Sequence, residues 1–116
     1  MVTYKPFDVV VVPFPFTDRG SSKRRPALIL SSTEYQEQTG HLILCMITTA
    51  TRSNWFNDVS LKEWAQAGLP HASLIRAKLF TLDERLILRR LGELTDIDQQ
   101  AIAKSLQSML PLRIQP

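Results

Sequence analysis

A short polar segment between two apolar runs carries a concentration of positive charge. The cations in it are Arg19, Lys23, Arg24 and Arg25. Guanidinium groups bind phosphate oxygens in a bidentate manner, and rigid strands on both sides would keep such a segment aimed at a ligand. The segment therefore predicts a binding site for a partner that carries phosphate.

Other catalytic and metal-binding patterns are largely missing from the sequence. The four glycines are scattered and form no phosphate-binding loop. His41 and His71 lie far apart and lack neighbouring residues at metal-ligand spacing. Cys45 is the only cysteine, which excludes an internal disulfide, and its apolar neighbours predict a buried, unreactive thiol. We expect no metal ion and no cofactor.

The length and composition indicate one globular domain spanning residues 1–116. The chain is 44% hydrophobic and 22% charged, with a formal net charge of +3, which permits a nucleic-acid partner without requiring one. No signal peptide is visible at the N-terminus, and no apolar run approaches the roughly 20 residues of a membrane span. A cytoplasmic protein without membrane contact is expected.

Strand patterns dominate the first two thirds of the chain. The predicted strands are 7–16, 26–31, 41–49, 57–61 and 73–80. The apolar character of 7–16 on both faces predicts burial on both sides. Pro13 and Pro15 lack an N–H, so one edge should be unpaired or bulged there. The polar segment 32–40 is predicted to be a turn or a wide loop.

The last third of the chain contains the helical signals. Segment 62–68 predicts one or two helical turns that end at Gly68. Segment 82–94 fits either a helix or a strand. A helix is predicted from an N-cap at Thr95 to Pro111, with apolar residues at helical spacing. A chain of strands with one closing helix points to a small barrel.

Several motifs, taken in order, resemble those of the MazF/PemK toxins. They are Asp8-Val9-Val10, residues 13–18, residues 23–31, Ile47-Thr48-Thr49, Leu69-Pro70 with residues 73–76, residues 79–83, and residues 91–94. The resemblance covers nearly the whole chain. It implies a mainly β, SH3-like barrel of the CcdB/PemK type with a C-terminal helix, and it favours a strand over residues 86–94. It also implies a homodimeric, metal-independent endoribonuclease that a cognate antitoxin neutralises.

The resemblance assigns catalysis to Arg25 and Thr48. In the implied reaction the ribose 2′-OH attacks the adjacent phosphorus, leaving a 2′,3′-cyclic phosphate and a 5′-OH. An arginine fork and a hydroxyl can stabilise the charge that accumulates on the phosphoryl oxygens. No general base can be aligned with the family, and Asp18 and Glu93 are the nearest candidates.

Further residues are predicted to bind single-stranded RNA. These substrate-binding candidates are Lys23, Arg24, Thr49, Arg52, Trp55 and Ser73. Segment 51–57 mixes a cation with aromatic rings, a combination that binds bases by stacking and phosphates by charge. Arg89 and Arg90 point to opposite sides of a strand, so at most one joins the site. Structural interpretations stay open: packing on the barrel or on the antitoxin for Trp55, and a hydrogen bond to the backbone for Ser73.

Two alternatives to a ribonuclease remain. CcdB toxins share this barrel but poison DNA gyrase without catalysis, through a C-terminal Trp-Gly-Ile. The present sequence ends with residues 112–116, Leu-Arg-Ile-Gln-Pro, which favours the ribonuclease. The other alternative is a degenerate relative that binds RNA or an antitoxin without cutting.

Overall fold

A computed structural model of the protein describes residues 2–14, 23–49 and 55–113. Within these ranges the strands are β1 (Asp8–Phe14), β2 (Lys23–Ile29), β3 (His41–Thr49), β4 (Val59–Ser60), β5 (Ser73–Asp83) and β6 (Arg89–Glu93). The helices there are α1 (Thr33–Thr39) and α2 (Asp96–Met109), with a 3-10 turn at Glu84–Leu86. None of the helices in the described ranges combines the length and the apolarity needed to cross a membrane.

The strands form one antiparallel sheet in the order β4-β5-β3-β2-β1-β6. Two register shifts curl it, one at Val9/Val10 in the β1–β6 pairing and one at Cys45/Met46 in the β3–β5 pairing. Bulges of this kind bend a strand and increase its twist. The result is a curled, half-barrel sheet with a C-terminal helix, which confirms the predicted fold class.

Both faces of the sheet are buried at its centre, as predicted for β1. Val9 and Leu28 are cross-strand partners on one face, and Val10 and Ala27 are partners on the other. We call the buried cluster that contains Val9 and Leu28 the helix-side core, because it includes Ile102 of α2. Its buried members are Val9, Leu28, Cys45, Ile47, Leu61, Ala67, Leu69, Ile75, Leu94 and Ile102.

Helix α2 is tied to the turn segment 62–68 by one buried carboxylate. Asp98 is 1% exposed, and its two oxygens accept hydrogen bonds from the backbone N–H groups of Lys62 (3.0 Å) and Glu63 (2.9 Å). Segment 62–68 is a run of turns with one helical bond, from the N–H of Ala67 to the carbonyl of Glu63. Gly68 ends the run in the left-handed conformation.

The prediction of a loop over residues 32–40 was wrong, because this segment contains α1. The Ser32 hydroxyl accepts a bond from the N–H of Tyr35, and Gly40 closes the helix with a φ of 70°. Only Gln36 of this helix is buried. A seven-residue helix with one inward side chain has no apolar stripe, so periodicity could not reveal it.

The prediction that residues 23–25 belong to a loop was also wrong, since β2 begins at Lys23. Its first residues pair with β1, Lys23 with Phe14 and Arg24 with Pro13. The cations are exposed, and a charged strand end has the composition of a loop. On the other side of β1, pairing with β6 extends only from Asp8 to Val11, as expected from the prolines.

The remaining elements lie near their predicted positions with shifted ends. Strand β5 continues beyond residue 80 to Asp83, and the ambiguous 82–94 segment splits between the 3-10 turn and β6. Thr95 precedes α2, but its hydroxyl bonds to the Glu63 carboxylate instead of capping the helix. Cys45 is fully buried, and burial raises the pKa of its thiol to about 12.

Candidate functional site

A cleft of about 430 Å³ opens where β2 begins and β3 ends. Its apolar wall includes Val11, Ile47, Leu69 and Leu91. Two of these, Ile47 and Leu69, are also members of the helix-side core. The cleft is therefore continuous with the rigid interior of the protein, which can hold its polar lining in place.

The register of the sheet brings the polar lining together from distant parts of the sequence. Val11 pairs with Pro26 on one side and with Arg89 on the other, so β2 and β6 reach the cleft at the same level of the sheet. Thr49, at the end of β3, pairs with Ser73 at the start of β5, and both residues also line the cleft. Segment 68–71 completes the lining.

The cleft is positively charged. Arg24, Arg25 and Arg89 line it, and none of them has a carboxylate partner among the described residues. No Asp or Glu of the described part of the chain belongs to the lining. Because no described carboxylate neutralises these guanidinium groups, the lining as described suits an anion such as phosphate.

Three other arginines of the described chain form ion pairs with carboxylates, in contrast to the arginines that line the cleft. Arg76 contacts Asp58 (2.9 Å), Arg85 contacts Asp83 (2.8 Å) and Arg90 contacts Asp8 (3.1 Å). Asp58 raises the pKa of Arg76 by accepting its hydrogen bonds, and Arg85 lowers the pKa of Asp83 by donating hydrogen bonds to its carboxylate.

Hydroxyl groups from β3 and β5 line the same cleft as the arginines. Thr48 is half-buried, and its hydroxyl has no hydrogen-bond partner among the described residues. Ser73 is buried, and its hydroxyl donates to the carbonyl of His71 at 2.8 Å. Ser73 therefore fixes the turn that carries His71, whereas no described residue engages the Thr48 hydroxyl.

Most of the predicted site residues meet in this cleft. Its lining includes Arg24, Arg25, Thr48, Thr49 and Ser73. Lys23 is adjacent at the exposed start of β2 but is not part of the lining. Arg52 and the candidate base Asp18 lie outside the described residues.

Trp55 lies apart from the cleft. Its ring is 44% exposed and is contacted by two cations, Lys78 at 5.0 Å and Arg76 at 5.9 Å from the ring centre. These are cation–π distances. The ring is thus packed against side chains of β5, in line with the structural interpretation that the sequence left open.

The other candidate base, Glu93, is also outside the cleft. Its carboxylate forms an ion pair with the ammonium group of Lys5, at 2.8 Å. Arg90, next to Arg89, turns to Asp8 instead of the cleft, as the alternation along a strand requires. No described group of three or more His, Cys, Asp or Glu residues is arranged to hold a metal ion.

Sequence reasoning did not single out His71, which lines the cleft. In the sequence this histidine could be assessed only as a metal ligand, and no other ligand residues lie at a suitable spacing. The available signal was its position, directly after the Leu69-Pro70 motif and two residues before Ser73. Arg89 was named, but the sequence could not choose between it and Arg90.

Together these features define a small antiparallel β protein with a cationic, hydroxyl-bearing cleft suited to a phosphate group. Residues 5–110 match the model of a protein family described as PemK-like, MazF-like toxin of type II toxin-antitoxin system. The chain belongs to this family, which confirms the resemblance found in its sequence. A comparison of the sequence with curated proteins gives no significant match.

Solved structures with the same fold include several toxins. A MazE-MazF structure from Deinococcus radiodurans has a TM-score of 0.77 at 24% identity, covering 97% of this chain and 100% of that chain. An endoribonuclease in complex with its cognate antitoxin from Mycobacterial species has a TM-score of 0.74 at 19% identity, covering 99% and 100%. The Mycobacterium tuberculosis toxin MazF-mt6 has a TM-score of 0.71 at 20% identity, covering 92% and 99%. At such identities the likeness establishes the fold alone.

Proposed function

We propose that the protein is a metal-independent endoribonuclease that cleaves single-stranded RNA at a short sequence. The observation that carries the proposal is the cleft itself, which is lined by arginines and by a threonine hydroxyl that have no carboxylate or hydrogen-bond partner, respectively, among the described residues. Membership of the toxin family supports the same conclusion. The gyrase-poison alternative has no observation in its favour here.

The proposed reaction uses the substrate's own 2′-OH as the nucleophile. Attack on the adjacent phosphorus places additional charge on the non-bridging phosphoryl oxygens. Arg25 stabilises this charge with its guanidinium fork, and Thr48 donates a further hydrogen bond. The bond from phosphorus to the 5′-oxygen breaks, which leaves a 2′,3′-cyclic phosphate and a 5′-OH. Donors fixed before the reaction stabilise charge without having to reorganise.

The other predicted residues keep supporting roles in this proposal. Arg24 and Thr49 contact the RNA backbone within the cleft, and Lys23 extends the positive surface beside it. Ser73 offers its hydroxyl oxygen as an acceptor, since its O–H donates a hydrogen bond to the backbone carbonyl of His71. Trp55, outside the cleft, and Arg52 are proposed to bind nucleotides that flank the cut.

The proposed partners follow from the toxin family. Two of the similar structures are described as a complex with a cognate antitoxin and as MazE-MazF. By extension we propose that this protein acts as a homodimer and is neutralised by a cognate antitoxin. An acidic segment of such an antitoxin would cover the cationic cleft and block RNA. With messenger RNA as substrate, the proposed site of action is the cytoplasm.

Incubation of the purified protein with a long, weakly structured RNA in EDTA tests the proposal. Discrete fragments with 5′-OH and 2′,3′-cyclic phosphate ends are expected. A second substrate, with a single 2′-deoxynucleotide at the mapped cut, should bind and remain intact because the nucleophile is missing.

The controls separate the alternatives. Cleavage only after metal is added would contradict metal independence, and cutting of the deoxy substrate would contradict 2′-OH attack. If the folded protein binds RNA but leaves it intact, the degenerate-relative alternative replaces the proposal. Inhibition of gyrase supercoiling in a parallel assay would favour the CcdB-like alternative.

A further inference from the structure

We propose that His71 is the general base that removes the proton from the attacking 2′-OH. This inference rests on the proposed ribonuclease function, and it supplies the group that the sequence could not assign. His71 lies in the same cleft as Arg25 and Thr48. Glu93, one of the two acids considered for this role, is paired with Lys5 and does not line the cleft.

The backbone of His71 is held in place by its neighbours. Its carbonyl accepts the hydrogen bond of the buried Ser73 hydroxyl at 2.8 Å, and Pro70 restricts the chain just before it. Ser73 in turn pairs with Thr49 in the sheet. Among the described residues the imidazole ring has no hydrogen-bond or ion-pair partner, and the residue is exposed. A substrate hydroxyl can therefore reach it.

The chemistry of the other groups in the cleft favours His71 as the proton acceptor. The charged residues that line the cleft with it are Arg24 and Arg25 from β2 and Arg89 from β6. Arginine stays protonated in proteins and carries no acceptor, so these residues can bind phosphate but cannot take a proton. The hydroxyls of Thr48 and Ser73 do not titrate in the physiological range. Histidine is the side chain that exchanges protons between about pH 5 and pH 8.

In this step one bond to phosphorus forms and another breaks. A nitrogen of the neutral His71 ring takes the 2′-OH proton, and the freed electron pair of the 2′-oxygen forms the bond to phosphorus. The bond between phosphorus and the 5′-oxygen breaks, its electron pair stays on that oxygen, and water supplies the proton that completes the 5′-OH. His71 then returns its proton to solvent.

The test compares single-turnover cleavage by the wild type, His71→Gln and His41→Gln across pH, with the all-RNA substrate in EDTA. His41 is the matched control, since it is exposed at the far end of β3 and its Nδ1 lies 2.9 Å from the Thr39 carbonyl. A general base contributes about 10²–10⁴-fold to a rate, and we expect His71→Gln to lose that much in kcat. The acidic limb of the wild-type profile should disappear with it. Added imidazole should partly restore a His71→Ala variant, and His41→Gln should match the wild type.

Several results would overturn the assignment. An active wild type whose His71→Gln variant keeps both its rate and its acidic limb would show that another group is the base. A loss confined to KM would show that His71 only binds phosphate. A wild type that never cleaves would overturn the ribonuclease proposal itself, and this inference with it. Circular dichroism of each variant distinguishes these outcomes from misfolding.

Discussion

Gly68 and Gly92 allow two backbones to touch where the turn segment 62–68 meets β6. A Cβ built on Gly68 would lie 2.3 Å from the carbonyl oxygen of Leu91, and one built on Gly92 would lie 2.5 Å from that of Ala67. No real Cβ atom approaches a backbone oxygen so closely. Because Gly68 and Leu91 also line the cleft, this contact sets the distance between two of its walls.

Replacing Gly92 with alanine should destabilise the protein through this contact. The new methyl group must push the turn segment away from β6, and overpacking of this kind costs about 1–3 kcal/mol. Gly40→Ala is the matched control. A Cβ at Gly40 would have Glu84 Oε2 as its nearest neighbour, at 3.4 Å, so this variant loses stability through its φ of 70° and not through a clash. Urea unfolding measures the free energy of unfolding of both variants.

The two glycine variants should also differ in function. Gly92→Ala should lower RNA cleavage at temperatures where it remains folded, whereas Gly40→Ala, at the C-terminus of α1, should not. Equal stability and equal activity of the two variants would contradict the role assigned to the backbone contact.

Asp98→Ala should be among the more destabilising single changes in the described chain. It would leave the N–H groups of Lys62 and Glu63 without their acceptor, and bonds to a charged group contribute about 1.5–3 kcal/mol each. Asp96→Ala, exposed in the first turn of the same helix, should cost no more than about 1 kcal/mol. Thermal or urea unfolding measures the loss of unfolding free energy in each variant. Equal losses in the two variants would contradict the anchoring role of Asp98.

Cys45 should be chemically inert and should make stability depend on pH in the alkaline range. Burial raises the pKa of its thiol to about 12. The folded state thus keeps a proton that the unfolded state releases, so the stabilisation is complete below about pH 9 and declines as the pH rises towards 12.

Two measurements check the behaviour of Cys45. Thiol reagents should label the native protein only at its unfolding rate. Between about pH 8.5 and pH 10.5 the wild type should lose more unfolding free energy than Cys45→Ala, whose slope lacks the thiol contribution. Rapid native labelling, or identical slopes, would contradict the burial of this side chain.

Thr48 should act through its hydroxyl and not through its shape. Thr48→Val keeps the branched side chain that suits a strand end and removes the donor, so we expect a fall in kcat of about 10²–10³-fold with little change in stability. Thr48→Ser retains the hydroxyl and should remain far more active. If valine and serine at this position give the same rate, the hydroxyl has no part in the reaction.

Strand β3 and helix α2 could be predicted closely because their patterns are long. Residues 42–47 form a continuous apolar run within β3, and α2 repeats apolar residues at helical spacing. Helix α1 could not be predicted, since one buried glutamine holds it by bonds to residues far away in sequence. Gln36 accepts from the N–H of Tyr4 and donates to the carbonyl of Val2 and the carboxylate of Glu84.

The candidate site was predictable only where motifs carried it. Arg25 and Thr48 were named from the family resemblance, and both line the cleft. His71 has no local pattern of its own, because its significance comes from neighbours on other strands. The pairing of Arg76 with Asp58 likewise depends on tertiary structure, and it removes a cation that the sequence alone would have counted towards the basic face.

The most direct test of the central claim is single-turnover cleavage of one defined RNA by Arg25→Ala and by Arg85→Ala. Both variants lose one exposed positive charge, but Arg85 lies in the 3-10 turn, paired with Asp83 and away from the cleft. Removing a donor to a developing oxyanion costs about 2.7–4 kcal/mol, so Arg25→Ala should be slower by about 10²–10³-fold or more, and Arg85→Ala should match the wild type. Equal rates in all three proteins would contradict the assignment of this cleft as the active site.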